Sequence, residues 1–138
     1  MMNELKELVE RHRAKNRPAT MDGVRALEAA LGWKLSPEYI LFLTTFGVIV
    51  FGGIEIYGLG VPDDYYLNVR NSHADLSRDP TYPRNAVPLL DAGDGHYYLY
   101  DNLAQTVVMW ATPNGGIVQV LKNDLQAFLI GQIFSVQQ

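Results

Sequence analysis

The 138-residue chain contains no cysteine. It therefore has no disulfide, no zinc site built on thiolates and no cysteine nucleophile. A chain of this length buries roughly 68% of the surface that its unfolded form exposes, so it needs no covalent crosslink. We therefore expect a single cytoplasmic domain spanning residues 1–138, folded in a reducing compartment.

The chain also lacks a long apolar run. An apolar, uncharged stretch at residues 39–54 is shorter than the ~20 residues that a membrane helix requires, and glycines interrupt it. The first 17 residues, MMNELKELVERHRAKNR, are charged throughout and contain no apolar core of a signal peptide. We therefore expect no membrane as a partner.

Basic residues are scarce outside the N-terminal quarter of the chain. Residues 1–34 carry seven basic and five acidic residues, for a charge of +2, whereas residues 35–138 carry four basic and ten acidic residues, for a charge of −6. Such an acidic body disfavours nucleic acid as a partner, because phosphates attract basic surfaces. The acidic body favours a basic protein as a partner, because opposite charges accelerate the encounter of the two proteins.

Helices are predicted at the start of the chain by apolar residues at helical spacing and by capping residues. The three predicted helices run from residue 2 to residue 15, from a cap at Thr20 or Asp22 to Gly32, and from a cap at Ser36 to Gly47. Arg17-Pro18 should stop the first helix, because a residue that precedes proline avoids the helical region. The third has Pro37 at its first position and Glu38 near the positive end of the helix dipole.

Strands dominate the second half of the chain, with glycine-rich turns between them. The predicted strands cover residues 48–51, 54–59, 87–90, 96–100, 106–111 and 117–121. A last helix, capped by Asn123 or Asp124, has its apolar face at Leu125, Phe128, Leu129 and Ile133. Residues 61–86 leave two alternatives: a short helix capped by Pro62-Asp63-Asp64 and running to about Ala74, or an irregular loop.

The short turns predict antiparallel neighbours, because parallel strands need long crossovers. The predicted fold is α+β: a single domain with an antiparallel β-sheet of about four to six strands, N-terminal helices and a C-terminal helix packed against it. Alternation along residues 96–100 places Tyr98 and Tyr100 on one face and Tyr97 and Leu99 on the other. One face should belong to the core, and both should if helices cover both sides of the sheet.

No pattern in the sequence indicates a catalytic, cofactor-binding or metal-binding residue. The three histidines have no ligand partners at zinc-site spacing. Residues 91–95 resemble a calcium loop only superficially, because glycine stands at the third position, where a ligand is needed. Exposed acids and aromatic residues remain as candidates for binding a partner. The candidate residues are Asp63, Asp64, Tyr65, Asp91, Asp94 and His96.

The order of motifs resembles the SUKH superfamily, which includes fungal cell-wall regulators and many bacterial immunity proteins. The resemblance covers about residues 20–130, with two departures: Phe46-Gly47 stands where the family has Asn-Gly, and His96 stands where it has Asp. The motifs are Leu35-Ser36-Pro37-Glu38-Tyr39 with Phe42-Leu43, then Gly47, Ile56-Tyr57-Gly58-Leu59, residues 93–101, and Leu125 with Phe128-Leu129.

The resemblance implies an α+β fold, no catalysis and binding to another protein. Many bacterial members neutralise a toxin domain encoded beside them, and many such toxins are basic nucleases. We therefore expect an immunity protein that binds a cognate toxin domain, as a monomer or weak homodimer without a cofactor. One alternative is a regulatory adaptor with no toxin partner. Another is an enzyme or small-molecule binder in which Asp94, His96 and Asp101 converge.

Overall fold

Helices surround two β-sheets in the computed structural model, which describes residues 2–134. The helices are α1 (Asn3–His12), α2 (Met21–Leu31), α3 (Pro37–Thr45), α4 (Val69–Leu76) and α5 (Leu125–Ile133). The strands are β1 (Lys15–Asn16), β2 (Ile49–Phe51), β3 (Ile54–Ile56), β4 (Ala86–Gly93), β5 (His96–Asp101), β6 (Thr106–Ala111) and β7 (Gly116–Leu121).

The strands form two antiparallel sheets, one in the order β1-β2-β3 and one in the order β4-β5-β6-β7. This arrangement confirms the predicted α+β class. The strands divide into two sheets because the 29 residues between β3 and β4 contain turns and α4. A backbone hydrogen bond of 2.9 Å, from the Tyr57 amide to the Leu89 carbonyl, still joins the end of β3 to β4.

Side-chain caps begin three of the helices, as the sequence predicts. In each case a side-chain oxygen accepts a hydrogen bond from an amide three residues later, which satisfies one of the free donors of the first turn. The pairs are Thr20 with Gly23 at 3.1 Å, Ser36 with Tyr39 at 3.2 Å, and Asp124 with Ala127 at 2.8 Å.

The predicted end of the first helix is wrong. α1 ends at His12, and Arg13 adopts a left-handed conformation with φ 55° while its amide donates to the Glu10 carbonyl. Lys15 and Asn16 then pair with β2. The pairing with a distant strand therefore decides the conformation of these residues, before Pro18 can act as a helix stop.

The predicted cap at Pro62-Asp63-Asp64 is also wrong. Residues 62–68 form turns, in which the Tyr65 amide donates to the Pro62 carbonyl at 3.0 Å. A helix does follow, but it begins at Val69, and Asn68 caps it by accepting from the Arg70 amide at 2.9 Å. Asn68 is buried, and its side-chain amide also donates to the carbonyls of residues 61 and 62, so it holds the turn and the helix together.

Strand β4 is longer than predicted and absorbs part of the expected turn. Asp91 lies within the strand opposite Tyr97, and Gly93 lies opposite His96, with register shifts along the way. The turn itself contains only Asp94 and Gly95. Strand β3 is shorter than predicted and ends at Ile56, because the chain leaves the small sheet to bond with β4.

Apolar side chains cover both faces of the four-stranded sheet, which confirms the second of the two possibilities for residues 96–100. Tyr100 lies in the main core, against residues of α3 and α5. Leu99 lies in a second cluster with Val108 and Trp110, which Leu76 and Tyr82 cover from outside. The Trp110 indole donates to the Thr81 hydroxyl at 3.0 Å, so the second cluster is anchored by a hydrogen bond as well.

At three glycines, backbone segments that are distant in the sequence pack directly against one another. A Cβ atom on Gly47 would lie 1.7 Å from the Arg17 carbonyl oxygen, and one on Gly60 would lie 1.9 Å from the same atom. A Cβ atom on Gly58 would lie 1.5 Å from the Gly47 carbonyl oxygen. Real Cβ atoms do not approach so closely, so these glycines set the path of residues 58–60 beside Arg17.

None of the helices within residues 2–134 has the length and apolar character needed to cross a bilayer.

Candidate partner-binding surface

Acidic and tyrosine side chains gather where β3, α4 and the β4–β5 pair meet. Two shallow depressions, of about 380 Å³ and 150 Å³, share Tyr57 and Tyr66 in their walls. Together with Tyr65, which contacts Tyr66, their acids and tyrosines form what we call the tyrosine–carboxylate surface. Its members are Glu55, Tyr57, Tyr65, Tyr66, Asp75, Asp91 and Tyr97.

The bond between the two sheets places the acids near one another. Glu55 belongs to β3 and Asp91 to β4, and the hydrogen bond from Tyr57 to Leu89 brings these strands side by side. Glu55 and Asp91 line the same depression of about 150 Å³. The sheets therefore build a feature that neither strand contains alone.

Hydrogen bonding and ring contact order the exposed tyrosines. The Tyr66 hydroxyl donates to Oε2 of Glu55. The rings of Tyr65 and Tyr66 lie 4.8 Å apart, and the two side chains are 40% and 54% exposed. Two large aromatic side chains are thus held in place while much of their surface is free to contact a partner.

Burial, with a smaller contribution from nearby acids, raises the pKa values of two tyrosines of this surface. Burial raises the pKa of Tyr57 to about 12, with further contributions from Tyr97, Asp91 and Glu55. Burial, Asp91 and Asp75 likewise raise the pKa of Tyr97. These phenols remain protonated at neutral pH, so they are available as hydrogen-bond donors and the carboxylates supply the negative charge.

Positive charge is limited at this surface. Arg78 lines the larger depression, beside Asp75. The two depressions together contain three carboxylates and one guanidinium, so the local charge is negative, in agreement with the acidic body of the chain. The arrangement is suited to binding cationic groups.

A family model, SUKH_5, described as SMI1-KNR4 cell-wall, matches residues 1–133. The chain belongs to the SUKH_5 family. This match confirms the resemblance seen in the motifs and extends it to α1 and β1. A search of the curated proteins found no match to this chain.

Two of the predicted binding residues lie on the tyrosine–carboxylate surface of this SUKH_5 chain. Tyr65 contacts Tyr66, and Asp91 shares a depression with Glu55. Asp63 faces a different depression, of about 390 Å³, which Arg70 and the start of α2 also line. Asp64 is exposed in the same turn.

The remaining two predicted residues, Asp94 and His96, lie at the β4–β5 turn. Nδ1 of His96 lies 3.1 Å from the Asp94 carbonyl oxygen, and the next residue, Gly95, accepts a bond from the Thr112 amide. Asp94 and His96 therefore lie beside the β6–β7 turn. Their role in binding, like that of Asp63 and Asp64, stays a prediction.

The geometry does not gather Asp94, His96 and Asp101 into one site. Asp101 stands at the opposite end of β5 from His96, and its Oδ1 accepts bonds from the amides of residues 103 and 104. Five residues of strand span roughly 16 Å, too far for joint action on one substrate atom. Within residues 2–134, no group of three potential ligands could hold a metal ion.

Sequence reasoning missed five members of the surface, which are Glu55, Tyr57, Tyr66, Asp75 and Tyr97. A local signal was present, because several of these tyrosines stand within a few residues of an acid in the chain. The contact of β3 with β4 decides which of them converge, and no local pattern encodes that contact.

Proposed function

We propose that this SUKH_5 chain is a non-catalytic immunity protein that neutralises a cognate bacterial toxin domain by direct binding. The observation that carries the proposal is the tyrosine–carboxylate surface, which presents three acids and four tyrosines together. Membership of the family supports binding to another protein as the general role.

Tyrosines and carboxylates make a strong combination for protein recognition. A tyrosine ring offers a large contact area with few rotatable bonds, and tyrosines are enriched among the residues that dominate binding energy. Carboxylates form charge-assisted hydrogen bonds with arginine and lysine of a partner. We therefore infer a partner with a basic face, as a nuclease toxin has for binding its own phosphate-rich substrate.

A rescue assay tests the proposal in cells. The C-terminal domain of the adjacent gene product would be expressed with and without this protein, and growth would be measured. We expect growth only with the protein present. Continued loss of growth, with both proteins shown to be expressed, would refute immunity toward that domain and favour the regulatory adaptor.

Charge reversal tests the surface itself. We expect Asp75→Lys combined with Asp91→Lys to slow association with the toxin domain about tenfold, because steering by these carboxylates is lost. The matched control is Glu4→Lys combined with Glu10→Lys, two exposed acids on α1 that lie outside the surface and give the same change in net charge. If the surface variant and the control variant associated with the toxin domain at equal rates, the electrostatic part of the proposal would be refuted. Association rates of the wild type that do not change with salt concentration would refute it as well.

A further inference from the structure

Strand β7 is the last strand of the four-stranded sheet, and no further strand of the described residues lies beyond it. Within residues 2–134, its strand neighbour is β6 alone, with Val120 opposite Val108 and Ile117 opposite Trp110. The other edge, β4, accepts a hydrogen bond from the Tyr57 amide. β7 therefore presents outward-facing backbone donors and acceptors, which a further strand could pair.

The side chains of this edge are unusually apolar for an exposed strand. Ile117, Val118 and Val120 are 50%, 52% and 58% exposed. The register places Ile117 and Val120 on the face of the sheet that carries Trp110, where the second cluster lies. Leu76 and Tyr82 cover that cluster but leave the β7 side chains open.

We propose that β7 pairs antiparallel with β7 of a second copy of this chain. Residues 116–121 carry no charge, so the pairing brings no like charges together although each chain has a net charge of −4. An antiparallel pair of identical strands has two-fold symmetry, the commonest symmetry of homodimers. The proposal is independent of the tyrosine–carboxylate surface, which lies near β4, at the opposite edge of the sheet from β7.

Charges at the two ends of β7 complement each other in this pairing. Lys122 follows the strand, while the β6–β7 turn precedes it. The Asp79 carboxylate is bound to that turn, accepting from the Asn114 amide at 2.8 Å and the Thr112 hydroxyl at 2.6 Å. Antiparallel pairing brings Lys122 of one copy toward Asp79 of the other.

A second acid, Asp124, lies beyond Lys122 and offsets part of this attraction, because it keeps its negative charge. Asp124 caps α5, and its Oδ1 accepts from the Ala127 amide at 2.8 Å. The register of β7 against β6 also shifts near Val118. Because such a bulge alters the local direction of the edge, the test relies on Ile117 and Val120, which keep their partners in β6.

The first measurement is the mass of the wild-type protein in solution as a function of concentration. Sedimentation equilibrium should show a monomer–dimer equilibrium, with hydrogen exchange at residues 117–120 slowing as the dimer forms. A monomer at every concentration up to about 500 µM, which would populate even a weak dimer, would overturn the proposal.

Two charge variants identify the strand that pairs. Ile117→Lys with Val120→Lys, and Ile117→Glu with Val120→Glu, should each raise the dissociation constant about tenfold or more, because like charges meet across the pair. An equimolar mixture of the two variants should dimerise again, since each lysine then meets a glutamate. Only a contact of β7 with β7 predicts this recovery, whatever the register.

Leu103→Lys is the matched control, because Leu103 is 79% exposed in the β5–β6 turn and not on the edge. It should dimerise like the wild type. Dimers that the β7 variants leave unchanged, or a mixture that stays monomeric, would overturn the proposal and place the contact elsewhere. If circular dichroism showed a variant to be unfolded, the wild-type mass and exchange data would still decide.

Discussion

Two tyrosine–glutamate pairs in this protein have the same chemistry and opposite surroundings. The Tyr100 hydroxyl donates to Oε1 of Glu38 at 2.7 Å, and Tyr100 is fully buried in the main core. The Tyr66 hydroxyl donates to Glu55 on an exposed surface. The first pair holds elements together, whereas the second leaves its groups available to a partner.

The pair of Tyr100 and Glu38 belongs to a network that anchors the start of α3. Ser36 lies 2.9 Å from the Tyr100 hydroxyl, and Oε2 of Glu38 accepts from the Leu125 amide at 3.3 Å. The Ser36 amide donates to the Asn102 side chain at 2.9 Å. Helices α3 and α5 and strand β5 therefore meet through one carboxylate and one phenol, and the exposed pair has no comparable connections.

The largest change in stability that we predict follows from removing the buried hydroxyl of Tyr100. Tyr100→Phe should lower the free energy of unfolding by about 2 kcal/mol, because it leaves the buried Ser36 hydroxyl and the half-buried Glu38 carboxylate each short of a hydrogen bond. Urea unfolding at neutral pH would measure this. An unchanged midpoint would mean that water replaces the hydroxyl at no cost, and the contrast between the two pairs would fail.

The neighbouring tyrosine should respond in the opposite direction. Tyr39 stacks on Tyr100, with ring centroids 5.7 Å apart, but its buried hydroxyl has no hydrogen-bond partner among the described residues. Burial accordingly raises the pKa of Tyr39 far above its ordinary range. Tyr39→Phe should raise the free energy of unfolding by about 1 kcal/mol, because an unsatisfied polar group is removed.

Thermal unfolding of Tyr39→Phe and Tyr100→Phe, measured side by side, would test both predictions. Each variant loses one hydroxyl group, and we expect a higher melting temperature for Tyr39→Phe and a lower one for Tyr100→Phe. A loss of stability in Tyr39→Phe would show that its hydroxyl has a partner in solution.

Asp79 is an intermediate case, a half-exposed carboxylate with many bonds. Acceptance from the Thr112 hydroxyl, the Asn114 amide and Thr81 holds its pKa well below the ordinary 3.8. A lowered pKa stabilises the fold at pH values above 3.8, and this contribution is lost as the pH falls below that value. Asp79→Asn should therefore destabilise the protein at pH 7, by less than Tyr100→Phe.

The pH dependence of that loss is the decisive measurement. The difference in unfolding free energy between wild type and Asp79→Asn should shrink steadily below pH 3.8. A difference that is constant with pH would show that the bonds depend on the shape of the side chain and not on its charge.

The smallest effect on stability should come from the exposed pair. Tyr66→Phe should leave the urea midpoint unchanged, because both partners remain hydrated when the bond is lost. If the proposed function holds, Tyr66→Ala should weaken toxin binding although the fold is intact. A clear loss of stability in Tyr66→Phe would assign this surface a structural role instead.

Local signals in the sequence predicted the helix caps and the strands of the large sheet. Ser36, Thr20 and Asp124 act within three residues of themselves, so their effect is readable from the chain. The end of α1 depends on pairing with the distant strand β2, and the start of α4 depends on the bonds of Asn68 to the preceding turn at residues 61 and 62. The same limit applies to the candidate surface, since only the approach of β3 to β4 gathers its acids.

Gly60 has a consequence for interpreting mutational scans of this protein. The residue is exposed and has no side chain, yet any substitution would drive a Cβ atom into the Arg17 carbonyl. In a library selected for binding to a partner protein, position 60 would be as intolerant as a contact residue. Substitutions at position 60 should lower the amount of folded protein. A parallel measurement of expression is therefore needed to distinguish this folding defect from the loss of a binding contact.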